Sequence, residues 1–141
     1  MKHFKIQEFV PKDIYLKYGN YSIYKIDKRI IEVADIIREY FNQPMTINNW
    51  HNNGQFQFRG YRPDGYDNKA SKSAHFFGMA IDFDIKGYIA EEIRQAIIKN
   101  RSKFPQITRM EHIDTRINKP INWVHIDVMP TNKKEIVLFN V

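Results

Sequence analysis

The sequence predicts an α+β fold in which two helices pack on a mainly antiparallel sheet of four or five strands. Three observations lead there. Apolar residues recur at spacings of three and four over 27–41 and again over 88–104, the period of a helix with one buried face. Apolar and polar residues alternate over 79–85 and over 122–128, the period of a strand resting one face on a core. Gly, Pro and polar clusters separate these stretches, so helices and strands are distinct layers of one domain.

Taken in order, residues 1–24 mix Phe4, Phe9, Tyr15, Tyr18, Tyr21 and Tyr24 with charge, and Pro11 and Gly19 interrupt any long element. This segment is expected as an extended cover over the core, its tyrosines packing rather than stacking on a substrate. The helix over 27–41 buries Ile30, Ile31, Ala34, Ile37 and Phe41, with Asp27 as its N-cap and Pro44 as its stop. Residues 45–50 read as a short strand. The polar stretch 51–72, with Gly54, Gly60, Pro63 and Gly65, reads as a long loop, a length that compact domains keep mostly for function. At Gly78 the loop turns into a strand with Met79, Ile81, Phe83 and Ile85 on one face and Ala80, Asp82 and Asp84 on the other.

The second helix, over 88–104, carries Ile89, Ile93, Ala96 and Ile97 on its apolar face. Glu91 and Glu92 lie in its first turn and Lys99, Arg101 and Lys103 near its end, as the helix dipole favours. After Pro105 a strand is expected over 106–111, then a connection of roughly ten residues punctuated by Pro120. The strand over 122–128 alternates Val124, Ile126 and Val128 with Trp123, His125 and Asp127. A last strand over 135–139 is expected to close an edge of the sheet.

The 141 residues suit a single domain over 1–141, and a chain of that length buries about two-thirds of its unfolded surface. There is no cysteine, which excludes disulfides and thiolate metal sites. The first ten residues carry Lys2, Lys5 and Glu8 with no long apolar stretch, so the expectation is a monomer made in the cytoplasm without a signal peptide. No apolar run reaches the roughly 18 residues that span a bilayer, and no membrane association is expected. The net charge of +6 is scattered and accompanied by no nucleic-acid motif, so no nucleic-acid partner is expected. Such a charge is compatible with an anionic cell-wall polymer.

If the strands of Asp82 and His125 pair, His75 can lean back from its turn to join them. Two imidazoles and a carboxylate suffice for a catalytic zinc, which takes three side chains and keeps a fourth position open. His51 is a conceivable fourth ligand that such a triple does not need. Ser73 lies two residues before His75, where it can bond backbone or orient the ligand; as a nucleophile it lacks a base. The same triple also matches the facial triad of non-haem iron oxygenases, but those sites usually sit in all-β barrels.

The residues Ser73-x-His75-x-x-Gly78-x-Ala80-x-Asp82, followed by Trp123-Val124-His125-Ile126-Asp127 and preceded by Gly60-Tyr61-Arg62, closely resemble the M15 family of zinc peptidases. That family comprises D-alanyl-D-alanine carboxypeptidases and L-alanyl-D-glutamate endopeptidases, many of them phage endolysins, and shares its fold with the Hedgehog signalling domain. The resemblance spans about residues 50–128. It implies a Zn²⁺ held by His75, Asp82 and His125, with Arg62 contacting substrate or the developing oxyanion. A fixed cation at that place stabilises a tetrahedral transition state. Arg59 could compete for the role. The implied substrates are bacterial peptidoglycan peptides, reached at the cell wall after release or from a virion.

One position departs from the family. Many members carry Glu or Asp three residues before the last metal histidine, where this chain has Asn122, which cannot transfer a proton. Glu111, Asp127 and Asp114 are the candidate bases. Glu111 is preferred because its strand should form a hairpin with that of His125, and Arg109-x-Glu111 resembles phage-type members. Asp127 shares a face with His125 but equally suits a supporting bond to it. The alternative to an enzyme is a non-catalytic zinc module, wall-binding or virion-associated, on the same fold.

Overall fold

The computed structural model of the chain describes residues 1–66 and 73–140. It is an α+β fold with three helices, α1 (Lys12–Tyr18), α2 (Lys28–Phe41) and α3 (Ala90–Lys99). The strands are β1 (Met45–Thr46), β2 (Ala80–Ile85), β3 (Arg109–Glu111), β4 (Ile113–Asp114), β5 (Lys119–Pro120), β6 (Val124–Asp127) and β7 (Val137–Phe139). Five of them form one sheet in the order β1-β2-β6-β3-β7, antiparallel except where β7 runs parallel to β3. Ile81, Phe83, Val124, Ile126 and Met110 are buried in one core with Ile30, Val33, Ala34 and Ile37 of α2 and Ile93 and Ile97 of α3. No helix among the described residues is long and apolar enough to cross a membrane.

The expected caps of α2 are in place. The Asp27 carboxylate accepts the Arg29 backbone N–H at 2.9 Å, and Asn42 ends the helix in a left-handed conformation. The expected second helix is shorter than 88–104, because the chain tightens into a 3₁₀ turn at Arg101–Lys103.

Three expectations are corrected. The segment 1–24 covers the core, burying Phe4, Ile6, Phe9 and Val10, but it is helical rather than extended. Pro11 opens α1 as its N-cap instead of breaking it, since a missing N–H costs nothing before the first turn. Gly19, at φ 54°, ends α1 and leads into a 3₁₀ run, Gly19–Lys25. Within this segment Tyr15 packs on Trp50, whereas Tyr21 and Tyr24 are 75% and 84% exposed.

The strand expected over 45–50 is only Met45–Thr46. A 3₁₀ turn, Trp50–Asn52, follows, and the Trp50 indole donates to the Val10 carbonyl at 2.9 Å. The connection after β3 is itself a hairpin, with Ile113 opposite Pro120 and Asp114 opposite Lys119. It lacks alternation; what turns it is the Asp114 carboxylate capping the Arg116 N–H at 2.9 Å and Asn118 at φ 50°. The expected loop 51–72 is described only as far as 66, and its last residues, 67–72, lie outside the described part.

Two glycines let the N-terminal segment lie directly on the loops that carry Tyr61 and the turn before β2. A Cβ at Gly60 would stand 2.1 Å from the Phe9 carbonyl oxygen, which already accepts the Tyr61 N–H at 2.7 Å. At Gly78, with φ 67°, a Cβ would stand 1.9 Å from the Lys25 carbonyl oxygen. The Asp27 N–H closes the second contact by donating to the Gly78 carbonyl at 2.9 Å.

Candidate metal centre

The register sets out the centre as a row across the sheet. Asp82 of β2 faces His125 of β6. Since Arg109 faces Asp127 and Met110 faces Ile126, the next residue of β3, Glu111, continues the row beyond His125, and Phe139 of β7 ends it. A second row, two residues along the same face, holds Ala80, Asp127 and Arg109.

His75 reaches the row from the turn before β2. The Ser73 hydroxyl accepts the His75 backbone N–H at 3.2 Å, and the His75 carbonyl accepts from Gly78 at 3.1 Å and from Arg62 at 3.2 Å. Its Nδ1 lies 2.7 Å from the Gly60 carbonyl. A carbonyl only accepts, so the proton sits on Nδ1 and Nε2 offers a lone pair. That Nε2 lies 3.2 Å from His125 Nδ1 and 3.3 Å from Asp82 Oδ1, and the last two atoms are 2.7 Å apart.

His75, Asp82 and His125 are all buried, and their donor atoms lie within 4.8 Å of one another; the group could hold a metal ion. Donors at ordinary distances from a tetrahedral ion stand about 3.3 Å apart, which the two edges from His75 match and the hydrogen-bonded His125–Asp82 edge, at 2.7 Å, falls short of. The outer nitrogens are held as metal-binding imidazoles require, His75 by Gly60 and His125 Nε2 by the Asp127 carboxylate at 3.4 Å. Burial opposes charge on His125, but the hydrogen bonds to Asp127 and Asp82 and the field of Asp82 and Glu111 outweigh it and raise the imidazole to about 10. Burial likewise opposes ionisation of Asp82, and the two histidines overcome it, holding the carboxyl far below its usual range. Without a metal, the centre is thus a protonated imidazole between carboxylates.

Arg62 stands on the other side of Asp82. Its Nη2 donates to Asp82 Oδ2 at 2.6 Å and its Nε to the Phe58 carbonyl at 2.7 Å, so one carboxylate oxygen faces the histidines and the other the guanidinium. Arg59 is directed elsewhere, paired with Asp84 and stacked over Phe56 at 3.6 Å. The candidate bases differ sharply. Glu111 is half-buried and, among the described residues, its carboxylate makes no hydrogen bond or ion pair. Burial pushes its carboxyl up; His125 pulls the other way and Asp82 adds to the rise. Asp127 is fully buried and committed, accepting from Arg109 Nε at 2.9 and 3.0 Å and from the Met129 N–H at 3.1 Å. Asp114 is bound to Arg116 within the hairpin.

Asn122 is exposed, ahead of β6, in a groove between α3 and the hairpin. His51 is not among the clustered donors, and its Nε2 lies 3.3 Å from the Asn52 amide. Three features of the centre escape sequence reasoning. The Gly60 carbonyl is main chain and has no residue signal. Arg109 was visible only as a neighbour of Glu111, yet it balances Asp127. Arg94, buried in α3, donates to the Ile121 and Trp123 carbonyls at 2.9 Å and so holds the lead-in to β6; a lone arginine beside Ile93 on an apolar helix face was its signal. Comparison with protein-family models, curated proteins and solved structures finds no match.

Proposed function

We propose that the chain is a zinc-dependent peptidase of the M15 type, on a Hedgehog/DD-peptidase-like fold, acting on peptide bonds of bacterial peptidoglycan. The observation that carries this reading is the Glu111 carboxylate, without a hydrogen bond or ion pair among the described residues, in one row with Asp82 and His125, which His75 joins from its turn. Two imidazole nitrogens and one carboxylate oxygen suit zinc better than a hard cation, which prefers oxygen alone. A bound zinc supplies Lewis acidity, acidifying water and polarising a carbonyl oxygen.

The chain's own groups divide the remaining work. Glu111, kept receptive by burial and without a partner among the described residues, takes a proton from water and returns it to the leaving amine. Arg62 keeps Nη1 free of hydrogen bonds to described residues, while Nε and Nη2 anchor it, so it can receive negative charge that develops on the substrate oxygen. Asp127 and Arg109 keep the His125 ring oriented.

Asn122 supports a second reading, a zinc module that binds wall or virion without hydrolysis, because the usual carboxylate of the family is replaced there. The oxygenase reading gains nothing from an open sheet with edges at β1 and β7. Purified peptidoglycan is digested with zinc-loaded protein, with and without chelator, and released fragments are identified by mass spectrometry. Chelator-sensitive release is expected and names the bond; no release from several wall types, with zinc bound, favours the non-catalytic module.

A further inference from the structure

The exposed aromatic surface of the N-terminal segment has no role in the centre. Tyr21 and Tyr24, 75% and 84% exposed, hold their rings 14° from parallel with centroids 6.5 Å apart. Lys17 stands 5.1 Å and Lys25 5.5 Å from the Tyr18 ring centre, and neither lysine pairs with a carboxylate among the described residues. The two near-parallel rings form an exposed aromatic surface whose outer faces and phenol groups are open to a ligand.

The patch is fixed relative to the metal centre. Lys25 lies under Gly78, in the turn that carries His75, and its ammonium is 5.9 Å from the ring of Tyr61, the residue before Arg62. The segment that carries Tyr21 and Tyr24 therefore packs, through Lys25, on the loops that border the centre.

Building on the peptidase reading, we infer that this surface docks the glycan strand of the wall while its peptide enters the centre. Sugar rings present flat C–H faces that stack on tyrosine, their hydroxyls bond the phenol groups, and the ammonium groups of Lys17 and Lys25, held over tyrosine rings with no carboxylate partner among the described residues, complement the anionic charge of wall polymers. A lipid surface is the competing occupant, but α1 is only seven residues long and the two most exposed rings bear hydroxyls.

The test is co-sedimentation of zinc-loaded protein with insoluble peptidoglycan on ice, beside phosphatidylglycerol vesicles. The double variant Tyr21→Ala/Tyr24→Ala, checked to carry the same zinc as the parent, is expected to bind peptidoglycan about tenfold more weakly, the scale of losing two ring-stacking contacts. Lys17→Gln/Lys25→Gln is expected to weaken binding mainly at low salt. Equal binding by the tyrosine variant and the parent overturns the inference, as does preferential sedimentation with vesicles. Fragment release, scored separately, keeps the two readings apart: binding without release preserves the docking surface and removes the peptidase.

Discussion

The two halves of the candidate metal centre are built differently. Asp82, His125 and Glu111 stand on paired strands, where register alone brings them into one row. His75 and Arg62 stand on loops whose shape depends on the N-terminal segment, through Phe9 at Gly60 and Lys25 at Gly78. The strand half is therefore robust to small packing changes, and the loop half is sensitive to any atom placed between two backbones.

The largest expected effect lies at the end of the strand row. Glu111→Gln should retain zinc and lose roughly 100- to 10,000-fold in rate on a peptidoglycan fragment, the usual contribution of a general base. Undiminished turnover would remove Glu111 from the role and leave the row without a base. Next, Gly78→Ala combines a positive φ with a backbone collision and should lower unfolding free energy by about 3 kcal/mol in a denaturant titration. Ile81→Val, on the strand half, should cost about 1 kcal/mol. Equal losses at the two sites would erase the contrast.

Asp127→Asn tests the support behind His125 and should weaken zinc binding about 10- to 100-fold in competition with a chelating dye. The last effect is that of pH, which acts on the same ring. In the metal-free fold His125 is raised from its usual 6.5 to about 10, so its charge stabilises that fold fully below 6.5, and the contribution is lost as pH rises through 10. Zinc needs the neutral ring, so its affinity should climb with pH across that window, with about one proton released per ion near neutral pH. Calorimetry in buffers of different ionisation enthalpy counts that proton; none released would mean that His125 is already neutral.

The same division governs what the sequence discloses. Alternation around Asp82 and His125 exposes both strands, both faces and the meeting of two ligands, because a strand's period is local. The helix face of Ile30, Ala34 and Ile37 is equally local, as is the Asp27 cap. The N-terminal segment misleads because Pro11 reads as an interruption and is instead a helix start, a difference decided by the burial of Phe9 and Val10 that follows from tertiary packing. The hairpin at 113–120 escapes because Asp114, Arg116 and Asn118 make its turn without any apolar alternation. His75 is visible as a ligand only through its motif; the Gly60 carbonyl that sets its tautomer comes from fifteen residues away.

The proposed peptidase activity requires one ion held by His75, Asp82 and His125. Equilibrium dialysis against buffered zinc, followed by elemental analysis, measures it directly in the parent chain and in His75→Ala. One zinc per parent chain and none in His75→Ala is the expected pair of results. A parent that retains no zinc, or a His75→Ala chain that retains as much, would contradict the assignment of His75, Asp82 and His125 as the metal's ligands.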